Sequence, residues 1–154
     1  MVTKERSKIE SAITRLKRFK VWFSKIDDKN VCLRSWISRR NGDPIKNPSR
    51  ATIERCGGTA CLGGWLVLSP MYRTYREEKG LSTSAAFMRN VSTSIDRHLQ
   101  AMFRFVGSDI VYGSYYMQSC TMFSGGHVHS TNNKKEAIAR LATRIERLEV
   151  LLTR

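Results

Sequence analysis

Acidic residues are few in this chain beside its basic ones. Its 154 residues include 13 Asp and Glu against 27 Lys and Arg, a formal net charge of +14. The few carboxylates mostly sit within helical segments beside Lys or Arg, so no pair stands out for general acid–base work. Asp96 with His98, or Asp109, has the residue types of a nuclease site, but a solvated helix face accounts for them better. Long apolar runs are also missing. None approaches 18 residues, so no transmembrane helix is expected. Residues 1–6 lead into a charged amphipathic segment with no apolar stretch or cleavage site, which is unlike a signal peptide and points to a cytoplasmic location. Internal repeats, low-complexity tracts, Walker loops and Gly-x-Gly-x-x-Gly patterns are absent from the sequence. Cysteine is sparse: Cys32, Cys56, Cys61 and Cys120 read as reduced thiols in such a chain.

What remains fits one globular domain spanning 1–154. The length is typical of a single domain that folds without covalent staples. An apolar fraction of 41% argues against wholesale disorder. The expected fold is mainly α, a compact bundle of about five to six helices around a buried central one. A first helix is predicted over 4–23, because Ile9, Ile13, Leu16, Phe19 and Phe23 recur on one helical face. Ser7 and Glu10 have capping-box spacing, so its start is placed at Thr3 or Ser7. Asp27, Asp28, Lys29 and Asn30 break the pattern as a turn. Residues 31–37 form an apolar run too short to assign to helix or strand. Residues 39–50 carry three turn signals in a row and read as an exposed loop.

The central helix is predicted over 60–68, apolar on every side and capped by Thr59. Gly63 and Gly64 weaken a helix unless another backbone packs close to them. Ser69 and Pro70 restart a helix that Gly80 closes. A short helix after Ser82 or Ser84 and a longer one over 94–106 follow. Residues 108–129 are rich in Gly, Ser, Tyr and Met and suit a long loop or a short hairpin. The final helix opens on Asn133 and Glu136, with Ile138, Leu141, Ile145, Leu148 and Leu152 as its apolar stripe.

Between Trp36 and Trp65 the chain carries Cys56-Gly57, then Cys61-Leu62, then Gly64-Trp65. This pattern resembles a family of small proteins from bacteriophages and bacteria, which share a Trp, a spacer, then Cys-Gly-Thr-x-x-Cys, a hydrophobic residue, Ala, Gly, and Trp or His. Two positions depart: Gly58 stands where the family has Thr, with Thr59 one place later, and Gly63 replaces Ala. The resemblance implies a mostly helical domain of phage or prophage origin and transfers no functional residue.

Charge supplies the functional expectation. A net charge well beyond the ~8 that solubility needs in a small domain points to a polyanionic partner. Tyr72-Arg73-Thr74-Tyr75-Arg76 and Phe103-Arg104-Phe105 alternate rings with guanidinium groups, a composition suited to stacking on bases and contacting phosphates. The expectation is a non-enzymatic protein that binds DNA or RNA, with Lys17, Arg18, Arg39, Arg40, Arg73, Arg76 and Arg104 as contact residues. No cofactor is expected, and a homo-oligomer is compatible with the sequence. The alternative is a phage-encoded inhibitor or adaptor for an acidic host protein, such as a nucleic-acid enzyme or a defence component. A third and weaker reading is a zinc site from Cys56, Cys61, His127 and His129. The four-residue gap between the cysteines suits zinc, but the His-x-His gap is too short. A thiol nucleophile at Cys56 or Cys61 lacks a base that the sequence places beside it.

Overall fold

The computed structural model describes residues 3–32, 37–41, 43, 45–80, 102–103 and 133–154. Within them the architecture is mainly helical, as expected. Helix α1 spans Thr3–Ser24, α2 Arg50–Cys56, α3 Leu62–Leu68, α4 Pro70–Glu78 and α5 Asn133–Leu152. Two short strands, β1 (Ile37–Ser38) and β2 (Thr59–Ala60), pair antiparallel, with Ile37 opposite Ala60 and Ser38 opposite Thr59. The hairpin expected within 108–129 lies outside the described residues, as do the helix after Ser82 or Ser84 and most of the helix over 94–106. Of that last helix Met102 and Phe103 are seen, helical, with Phe103 fully buried.

The two long helices follow their apolar stripes. Ile9, Ile13, Leu16, Phe19 and Phe23 are all buried, joined by Ala12 on the same face. On α5 the buried positions are Ala137, Leu141, Ile145 and Leu148, while Ile138 and Leu152 lie half-buried at the margin. The two stripes pack against each other antiparallel. Arg6 near the start of α1 donates to the Leu152 carbonyl at 2.8 Å, and Lys134 at the start of α5 reaches Asp28 just past α1's end, at 3.7 Å. Helix α1 starts at Thr3 and runs through Ser7. Glu136 pairs with Arg140 at 2.6 Å, one turn along the helix.

The apolar run after Ala60 is the buried centre, since every residue from Leu62 to Val67 is inaccessible. Its start differs from expectation. Thr59 belongs to β2, and the cap is Cys61, whose Sγ accepts the Gly64 N–H at 3.3 Å. Pairing of β2 with β1, which is distant in sequence, holds Thr59 extended and moves the helix start two residues on. Ser69 and Pro70 do open α4, but the Ser69 hydroxyl donates back to the Leu66 carbonyl at 2.6 Å and makes no cap bond to α4. Gly80 follows α4 at φ +65°, the left-handed geometry that ends helices.

Residues 39–50 are not wholly exposed. Ile45 and Pro48 are buried and anchor the loop, and Ser49 caps α2 by accepting the Thr52 N–H at 3.1 Å. Gly57 ends α2 at φ +68°. Gly58 then passes so close to the loop that a Cβ there would lie 2.7 Å from the Ser38 carbonyl oxygen and 2.9 Å from Ile45 Cδ1.

Candidate polyanion-binding surface

Asn30 ties the basic segments to the core. Asp27 accepts the Lys29 N–H at 3.1 Å and bends the chain after α1 into a single 3-10 turn, Asp28–Asn30. That turn buries Asn30, whose Nδ2 donates to the Gly58 carbonyl at 2.9 Å and whose own carbonyl accepts the Trp65 indole N–H at 3.2 Å. Next along, Val31 bridges Ala60 and the Cys32 N–H donates to the Ala60 carbonyl at 3.2 Å. The end of α1, the turn after α2 and the central helix thus meet at one buried amide. In the sequence Asn30 reads only as part of a turn, and no local signal distinguishes it.

The motif from Cys56 to Trp65 does its work here as packing. Gly57 supplies the left-handed turn, Gly58 the close approach to the loop, Cys61 the helix cap, and Leu62 and Trp65 the core. The Cys56 thiol donates weakly to the Ile53 carbonyl at 3.7 Å. His127 and His129 lie outside the described residues, and among the described residues no three His, Cys, Asp or Glu side chains converge on a common point.

The cations around this framework differ in whether a carboxylate answers them. Several do face one: Lys17 with Glu149 at 2.7 Å, Arg50 with Glu54 at 2.7 Å, Arg73 with Glu77 at 3.8 Å, and Lys134 and Arg140 as described. Arg15 donates to the Met102 carbonyl at 3.0 Å. Others are exposed and form no ion pair among the described residues. These include Arg18 on α1, Lys25 just past its end, Arg39, Arg40 and Lys46 on the loop, and Arg55 on α2.

Direct contacts connect the elements bearing these six. Arg50, at the start of α2, donates to the Lys25 carbonyl at 3.3 Å. At the other end of α2, beyond Arg55, Gly58 presses on the residues adjoining Arg39 and Lys46. Between them the Arg39 N–H donates to the Asp43 carbonyl at 2.6 Å, and Asn41 closes the turn by bonding both the Asp43 N–H and the Asp43 carboxylate at 3.0 Å. That turn leaves Arg39 and Arg40 facing solvent. The C-terminal end of α1, α2 and the described residues of the 39–46 loop therefore adjoin one another, and the six exposed cations that they carry make up a basic band.

The residues expected from sequence therefore separate. Arg18, Arg39 and Arg40 fall within the band. Lys17 is exposed but paired with Glu149 of α5, and Arg73 lies on α4 beside Glu77. Arg76 is no surface contact at all. It is buried, and its guanidinium donates to the Val67 carbonyl at the end of α3. Burial lowers its pKa from the ordinary arginine value, Arg73 adds to that, and Glu77 and Tyr72 oppose it. Arg104 lies outside the described residues. Lys25, Lys46 and Arg55 complete the band, with only their charge to mark them in the sequence.

No family model, curated protein or solved structure matches this chain.

Proposed function

We propose that this chain is a non-enzymatic nucleic-acid-binding protein of phage or phage-like origin, acting in the host cytoplasm through the band formed by α1, α2 and the 39–46 loop. The origin rests on the resemblance of the Cys56 to Trp65 motif, and the activity rests on charge. What supports the activity is the sorting of cations. Carboxylates accompany Lys17, Arg50, Arg73, Lys134 and Arg140. Among the described residues, Arg18, Lys25, Arg39, Arg40, Lys46 and Arg55 are exposed without one on connected elements, whereas Lys4, Lys8, Lys135 and Arg154, likewise exposed without one, lie apart from them in the chain. Such a surface exchanges condensed counterions for its own side chains when it meets a phosphate polymer, and their release drives association. A protein-binding inhibitor would present an apolar interface centre. Among the described residues the only large hydrophobic side chains in the open are Val21 and Val150, on separate helices.

The test is fluorescence anisotropy of a labelled DNA duplex over a salt series. The wild type should lose affinity steeply with salt. Reversing two band charges together, Arg39→Glu with Arg40→Glu, should weaken binding and flatten the log–log salt slope by roughly 0.9 for each phosphate that is no longer neutralised. Arg73→Glu, outside the band, should leave the slope near the wild-type value. Uptake that ignores salt, or an Arg73→Glu loss equal to that of the double reversal, rejects the proposal.

A further inference from the structure

We infer that the band grips the phosphate backbone of a nucleic-acid duplex and offers bases no stacking platform. This rests on the function proposed above and narrows its ligand.

Recognition of single strands relies on bare aromatic faces on which successive bases stack. Among the described residues, Phe19, Phe23, Trp65, Tyr72 and Phe103 are buried. Of the described aromatic residues only Trp22 and Tyr75 are half-exposed, and both are already covered. Trp22 meets Phe19 at 5.9 Å and the edge of Trp65 at 6.0 Å, while the Arg50 guanidinium lies over its ring, 5.3 Å from the centroid. That guanidinium is held in place by Glu54 at 2.7 Å and the Lys25 carbonyl at 3.3 Å. Tyr75 meets Tyr72 at 5.4 Å and carries the Lys79 ammonium 5.8 Å from its centroid. A base reaching Trp22 would have to displace an arginine already held by two partners.

The tyrosine and arginine alternation in residues 72–76, which in sequence suits base stacking, is thereby reassigned. Tyr72 and Arg76 face the core, and Tyr75 is covered. What the band does present is cationic side chains spread along its length. Arg18 lies on α1 and Lys25 just past its end, Arg55 on α2, and Arg39, Arg40 and Lys46 on the loop. A duplex, with one charge per about 1.7 Å of axis, is the denser lattice of phosphates for such a row.

The test compares a labelled mixed-sequence duplex of about 20 base pairs with one of its strands alone, at one salt concentration. The duplex should bind about tenfold tighter or more. AT-rich and GC-rich duplexes should agree within about twofold, because contacts to phosphates carry no sequence information. The contribution of Trp22 to tryptophan emission, read as the difference between wild type and Trp22→Phe, should not change when oligo(dT) is added. Two results overturn the inference while leaving nucleic-acid binding intact: single strands bound as tightly as duplex, or an oligo(dT)-induced quench that disappears in Trp22→Phe. Salt-sensitive binding of neither polymer overturns the proposed function and this inference with it.

Discussion

Along the seam between α1 and α5, Lys17 and Lys134 are answered by carboxylates; along the band from α1 across α2 to the 39–46 loop, Arg50 alone has one, Glu54, and six exposed cations have none among the described residues. Lys17 meets Glu149 and Lys134 meets Asp28 at the margin of the seam, where Arg144 is itself buried. Arg18, Arg39 and Arg40 face solvent without a carboxylate among the described residues. Stability does not explain the difference, because exposed ion pairs contribute at most about 1 kcal/mol each. The seam is held by its apolar stripes. Carboxylates are scarce in this chain, 13 in all, and two of them lie where a pair of cationic helices has to approach. The band, with no packing partner of that kind, stays charged.

Trp65 is where the two regions can be separated most violently. It is fully buried, touches Trp22 of α1 edge-on, and donates to the Asn30 carbonyl. Trp65→Ala removes that volume and leaves the carbonyl without its donor, at a cost of about 3–5 kcal/mol. Against a typical total of about 5–15 kcal/mol, that is enough to bring a domain to the edge of unfolding. Urea titration should show the loss, and duplex affinity should fall with it, since α1 and the loop would no longer be held in one arrangement.

A milder break falls on one side only. Gly58→Ala places a methyl group against the Ser38 carbonyl and Ile45, and overpacking of that kind costs about 1–3 kcal/mol. The strain sits between β2 and the loop, so amide exchange should accelerate at residues 37–38 and 59–60 while α1 and α5 keep their protection. Gly57→Ala is the control. Its φ of +68° disfavours a side chain, but nothing lies within 4 Å of the new Cβ, so the cost is only the backbone strain of about 1 kcal/mol.

The seam is also the more legible region. Spacings of three and four residues predict α1 and α5 and name most of their buried positions, because amphipathic periodicity records directly which face a helix buries. The all-apolar run likewise announces α3 as buried. The hub behind the band is harder to read, since its geometry comes from contacts between distant segments. Cys61 replaces Thr59 as a cap only because β2 pairs with β1. Helix α2 is short and lacks an apolar period, so nothing in the sequence shows what the 39–50 loop leads into. Arg76 misleads for a different reason. Reading residues 72–76 as rings alternating with charges imposes a period of two. On a helix, Tyr72, Tyr75 and Arg76 share one face, and that face meets α3. Arg18, Arg39 and Arg40 are legible because an exposed cation needs no tertiary contact to be recognised.

The finest discrimination lies between two adjacent residues of α1. Lys17 and Arg18 are both exposed cations, about 100° apart around the helix, and of the two only Lys17 has an anionic partner among the described residues. Lys17→Gln should lower stability by well under ~1 kcal/mol, with the deficit shrinking as salt screens the pair it replaces. Duplex affinity should barely change, because the charge removed was already balanced by Glu149. Arg18→Gln removes no ion pair, so the unfolding midpoint should hold. Its effect belongs in binding, as a several-fold loss with a salt slope shallower by roughly 0.9 if that side chain meets one phosphate. Equal effects of the two substitutions on binding would mean that pairing with Glu149 does not withdraw Lys17 from the polyanion. The division between seam and band would then be a matter of packing alone and not of function.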